Sequence, residues 1–134
     1  MLTKDDIESF LVRLSATGAT HSEVEPGFWI VRPSPDSELS VAVNFSPPVL
    51  ILRVDVMTLP EDGPQCSILT RRLLELNASD LLHGSYGLQD KQIVLTEALE
   101  LSALDFEEFL ASYESMTLAL ASHLRELGSY REAR

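Results

Sequence analysis

Val49-Leu50-Ile51-Leu52-Arg53-Val54-Asp55-Val56-Met57 is the stretch that decides the fold. With a period of two, Leu50, Leu52, Val54 and Val56 share one side, while Val49, Ile51, Arg53, Asp55 and Met57 share the other. Such a run reads as a strand with one uniformly apolar face and one mixed face. A sheet covered on one side and partly open on the other is the natural consequence.

Working toward the N-terminus, Val41, Val43 and Phe45 alternate with Ala42 and Asn44, and Phe28-Trp29-Ile30-Val31 is rich in strand formers. The breaks Pro33-Ser34-Pro35-Asp36-Ser37 and Pro47-Pro48 are short enough to favour hairpins, so these three strands form an antiparallel meander. Ahead of them, Thr3 and Asp6 form a capping pattern. Ile7, Phe10, Leu11 and Leu14 then recur at helical spacing, and Gly18 suits the end of that helix.

Toward the C-terminus, Pro60-Glu61-Asp62-Gly63-Pro64 is a loop, after which a second helix runs to about Asn77. Its apolar set is Cys66, Leu69, Leu73 and Leu76, widened by Leu74. Gly84 and Gly87 punctuate the segment after this helix, and Ser85–Leu88 and Ile93–Leu101 read as two further strands. On the second of these, Ile93, Leu95, Leu99 and Leu101 share a face interrupted by Glu97. Asp105 with Glu108 caps a final helix that Gly128 ends, roughly 33 Å long at 1.5 Å per residue. Residues 129–134 read as a frayed tail.

The chain has 134 residues, enough for one domain spanning 1–134. Ten Lys and Arg against 21 Asp and Glu give a net charge of −11, a field that repels nucleic-acid phosphates and anionic membranes. Cys66 is the only cysteine, which excludes an internal disulfide and a cysteine-based zinc site. Its place on the apolar side of the second helix reads as a buried structural thiol. The opening Met1-Leu2-Thr3-Lys4-Asp5-Asp6 puts charge where a secretory signal is apolar, and Val49–Leu52 is far short of the roughly 20 residues that span a bilayer. A cytoplasmic protein is expected, with the sequon Asn77-Ala78-Ser79 unused.

Little here can carry reaction chemistry. His21, His83 and His123 fall in three different elements with no metal-ligand spacing. Gly84-Ser85-Tyr86-Gly87 is too short to cradle phosphate, and no Gly-x-Ser-x-Gly elbow exists. The carboxylate pairs Asp5-Asp6, Glu61-Asp62 and Glu107-Glu108 are adjacent and sit at helix starts or in a loop, where they cap and solvate. No catalytic residue, metal ligand or cofactor site is expected. The remaining signals are surface-like. Trp29 and the pair Phe28/Ile30 alternate, so one or the other points away from the core unless both faces are covered. Val49, Ile51 and Met57 likewise either meet a second layer or form an apolar patch for a partner.

The order helix, three strands, helix, two strands, helix resembles the type III secretion chaperone family, the Tir-chaperone-like group, and its regulator-like bacterial relatives. The resemblance lies in Leu69-Thr70-Arg71-Arg72-Leu73-Leu74-Glu75-Leu76-Asn77, in Gly84-Ser85-Tyr86-Gly87-Leu88, in Ile93-Val94-Leu95 and in the acidic amphipathic helix from Asp105. It implies an α+β fold with a twisted antiparallel sheet packed on helices. It also implies a homodimer that holds an extended segment of a secreted protein on apolar grooves, without ATP and without chemistry. Trp29, Val49, Ile51 and Met57 are then the expected client contacts. The second helix supplies the dimer contact, with Ile68 central between Arg72 and Glu75 on the side away from the core. The competing reading is a small-ligand sensor or regulatory domain of the same fold, with Phe28, Trp29 and Phe45 lining a pocket.

Overall fold

Thr3 opens the first helix through a reciprocal cap. Its backbone N–H donates to Asp6 Oδ2 at 2.7 Å, and the Asp6 N–H donates to Thr3 Oγ1 at 3.3 Å. In the computed structural model, which describes residues 1–131, helix α1 (Lys4–Leu14) buries Ile7, Leu11 and Leu14. One 3₁₀ turn comes next and closes on Gly18 at φ 100°, a left-handed conformation glycine adopts without strain.

The remaining elements are β1 (Thr20–Glu25), β2 (Phe28–Arg32), β3 (Val41–Ser46), β4 (Val49–Thr58), α2 (Pro64–Ser79), β5 (Ser85–Gln89), β6 (Gln92–Glu100) and α3 (Phe106–Arg131). The strands form one sheet in the order β1-β2-β3-β4-β6-β5, with every neighbouring pair antiparallel. The core lies between one face of this sheet and the helices. Trp29, Val31, Val43, Leu52, Val54 and Leu95 meet Ile7 and Leu11 of α1, Leu69 and Leu73 of α2, and Phe109 and Leu120 of α3.

Four sequence expectations are corrected. The sheet has six strands, not five: Thr20-His21-Ser22-Glu23-Val24-Glu25 adds an edge strand with no buried residue and hence no apolar alternation to read. Met57 lies on the opposite side of β4 from Ile51. A β-bulge between Asp55 and Met57 inserts Val56 into the ladder, which returns Met57 to the core face at 5% exposure. Helix α2 buries only Leu69, Leu73 and Leu76, because it lies beside the edge strand β5. Leu74 is thus 69% exposed, and the Cys66 thiol is half-buried and free. Finally, α3 does not stop at Gly128 but continues to Arg131. Leu127 is buried and Tyr130 packs on the core, which outweighs the roughly 1 kcal/mol helix cost of one glycine. Of the expected frayed tail, residues 129–131 are helical and 132–134 lie outside the described residues.

Candidate functional site

The face of the sheet turned away from the helices carries a trough along β3. Pairing puts Phe28, Asn44 and Ile51 in one row across β2, β3 and β4, and Ile30, Ala42 and Arg53 in the next. The central strand therefore contributes the small Ala42 and the short Asn44. Its neighbours raise walls of Phe28 and Ile30 on one side and Ile51 and Arg53 on the other. With strands about 4.8 Å apart, those walls stand about 10 Å from each other. At the end nearest the β2–β3 connection the hollow continues past the sheet to α3, where Leu39 and Val56 meet Leu120 and Leu124, and its whole volume is about 790 Å³.

One wall is held rigid by polar contacts. Arg53 Nε donates to Asp55 Oδ1 at 2.9 Å, and Nη1 donates to Gln89 Oε1 on β5. The side chain thus runs from the Thr96 row toward the Gln92 row, on the same outward face as Val94, which is only 6% exposed. Arg32 donates to the Ser37 carbonyl at 3.0 Å.

The residues expected to bind a partner fall on two different faces. Val49 and Ile51 are half-buried on the open face. Trp29 is 1% exposed in the core, where its indole N–H donates to Glu8 Oε1 at 2.9 Å, and Met57 is buried through the bulge. Both are core residues of this chain and are not available to a partner. Alternation puts Phe28 on the opposite side of β2 from Trp29, so Phe28, Trp29 and Phe45 do not line one pocket. On α2, Ile68 is 54% exposed, whereas Arg72 is engaged within the chain by Glu126, at 2.6 and 3.2 Å, and by Glu75 at 3.5 Å. Sequence reasoning missed Ala42, Asn44 and Leu39 as part of the trough. The alternation of β3 marked the first two, but not which neighbours they stand between.

The titratable groups make structural links. The Glu8 carboxylate accepts from His21 Nε2 at 2.7 Å as well as from Trp29. The His21 contact, with that of Trp29 second, holds it below the ordinary carboxyl value despite partial burial. His123, 95% buried, bridges Tyr86 Oη at 2.7 Å and Asp80 Oδ2 at 2.9 Å, tying α3 to β5 and to the end of α2. Burial pushes the Tyr86 phenol well above its usual value. Among the described residues, no three His, Cys, Asp or Glu side chains gather as a metal site, and no helix is long and apolar enough to cross a membrane.

Three helices on one face of a six-stranded antiparallel sheet, the other face open, define a small α+β protein with the fold of type III secretion chaperones. The sequence profile of CesT_Tir_1 matches residues 2–133, and the chain belongs to this type III secretion chaperone family, whose members are not enzymes. A chain of the heterodimeric ExoU–SpcU complex from the type III secretion system of Pseudomonas aeruginosa is similar over 92% of this chain and 96% of that one, with TM-score 0.66 and 13% identity. YbjN of E. coli, proposed to regulate transcription, is similar over 93% of both chains, with TM-score 0.64 and 15% identity. A chain of the complex between the Yersinia pestis type III secretion chaperone SycH and a stable fragment of YscM2 is similar over 85% of this chain and 96% of that one, with TM-score 0.55 and 14% identity. At these identities the likeness is one of fold. No curated protein matches the sequence.

Proposed function

We propose that the protein is a non-enzymatic, cytoplasmic chaperone that works as an acidic homodimer and holds a polypeptide client in the open trough of its sheet. One observation carries the reading. Phe28, Ile30 and Ile51 form apolar walls on a face that no element of the chain covers fully, while the opposite face is closed by helices. Solved complexes of the same fold, such as ExoU–SpcU and SycH with YscM2, support a polypeptide as the occupant. The client contacts are then Ile51 and Val49, joined by Phe28 and Ile30. Ile68, flanked by Arg72 and Glu75, is the proposed dimer contact.

The test is co-purification from the source organism with the wild-type chain and with Ile51→Asp, whose fold is checked by circular dichroism. A discrete polypeptide retained by the wild type and released by the variant is the expected result. Recovery of no polypeptide, or of the same polypeptide with both chains, overturns the reading.

A further inference from the structure

Resting on the client-binding reading of the trough, we infer that its occupant is a basic segment: apolar anchors in the slot, with lysines and arginines on either side. The placement of charge around the slot supports this. Residues 20–62, which build β1–β4 and their loops, carry seven carboxylates (Glu23, Glu25, Asp36, Glu38, Asp55, Glu61, Asp62) against two arginines. Of the two, Arg53 is matched by a carboxylate, while the exposed Arg32 keeps its charge at the β2–β3 connection. Arg53 is held by Asp55 and Gln89, and Arg32 is turned onto the Ser37 carbonyl.

Asp55 is matched by Arg53 in the lining of the trough, whereas at the β2–β3 connection Glu38 and Asp36 face the single charge of Arg32, which leaves that end net negative. Glu25 stands opposite Phe28 at the far wall. All three carboxylates, Glu25, Asp36 and Glu38, are exposed. An acidic segment entering here meets like charge at both ends, whereas a basic one meets partners at both. The exposed setting makes this a matter of selectivity and capture rate more than of tight binding, and one that salt screens.

Two synthetic peptides test it directly. Both are extended sequences of about 15 residues with the same alternating Leu and Val anchors, since i and i+2 side chains share one face at about 6.8 Å. One carries Lys at the intervening positions and the other Glu. By fluorescence anisotropy at low salt, the Lys peptide binds about tenfold or more tighter than the Glu peptide, and the gap shrinks about threefold or more at high salt. The double variant Asp36→Lys/Glu38→Lys, both exposed loop positions, narrows the gap while leaving circular dichroism unchanged, and Ile51→Asp weakens both peptides.

Equal affinity for the two peptides, a preference for Glu, or no binding of the Lys peptide each overturns the inference. None of these outcomes touches the co-purification result, so a failed charge preference is separable from a failed client.

Discussion

Glu8 shows how one side chain can fix three elements. Its carboxylate reaches from α1 to His21 on β1 and Trp29 on β2, anchoring an edge strand that has no buried side chain of its own. Because these bonds favour the ionised form, the folded value lies below the ordinary 4.5. The stabilisation is therefore fully present above 4.5 and is lost as pH falls through the lowered folded value. Glu8→Gln should be less stable than the wild type at neutral pH, and the gap should close as the solution is acidified below 4.5. Urea denaturation monitored by the emission of Trp29, the sole tryptophan, reads this directly. A gap that stays constant across the pH range would show that the charge of Glu8 is irrelevant. Half-exposure of this carboxylate keeps the effect small.

At the scale of elements, β4 is the strand whose two faces do different work. Leu50, Leu52, Val54 and, beyond the bulge, Met57 close the core, while Val49 and Ile51 face outward and Ile51 lines the trough. Met57→Ala should cost about 2–5 kcal/mol, and Ile51→Ala, half-buried on an open face, about 1 kcal/mol or less. Equal losses in chemical denaturation would mean that the two faces are equally closed. The same strand shows what was legible in the sequence. Its period of two up to Asp55 came straight from the apolar pattern, as did the Thr3–Asp6 cap and the meander of three strands. The bulge could not be read, since an extra residue in a ladder is a property of the pairing with β6. Nor could β1, whose stability comes from backbone pairing and the Glu8 tether. The trough was half legible: Phe28/Ile30 and Val49/Ile51 were marked as outward candidates. Their meeting across Ala42 and Asn44 depends on the register of three strands, which no single segment specifies.

The whole molecule leaves its apolar surface unevenly distributed. Among the described residues, four of the nine large exposed hydrophobics, Ile68, Leu74, Leu82 and Leu88, fall on α2, on β5 and on the loop between them. Helix α2 lies against β5, and β5 is an edge strand with one unpaired side, so this end of the sheet combines apolar side chains with open backbone. A monomer gains nothing from that combination. The isologous contact proposed above would cover Ile68 of each copy. Arg72 is already bonded to Glu126 and Glu75 within the chain, so the proposed contact rests on Ile68 as its apolar centre. Since Ile68 is more than half exposed in the isolated chain, a charge there does not disturb the core. Ile68→Glu should accordingly convert a dimer to a monomer in light scattering while leaving circular dichroism unchanged. The mutation places two like charges at one symmetric contact, which costs more than the loss of a single apolar side chain. A wild-type protein that scatters as a monomer at tens of micromolar, a concentration at which a dissociation constant near 1 μM gives mostly dimer, rules the dimer out.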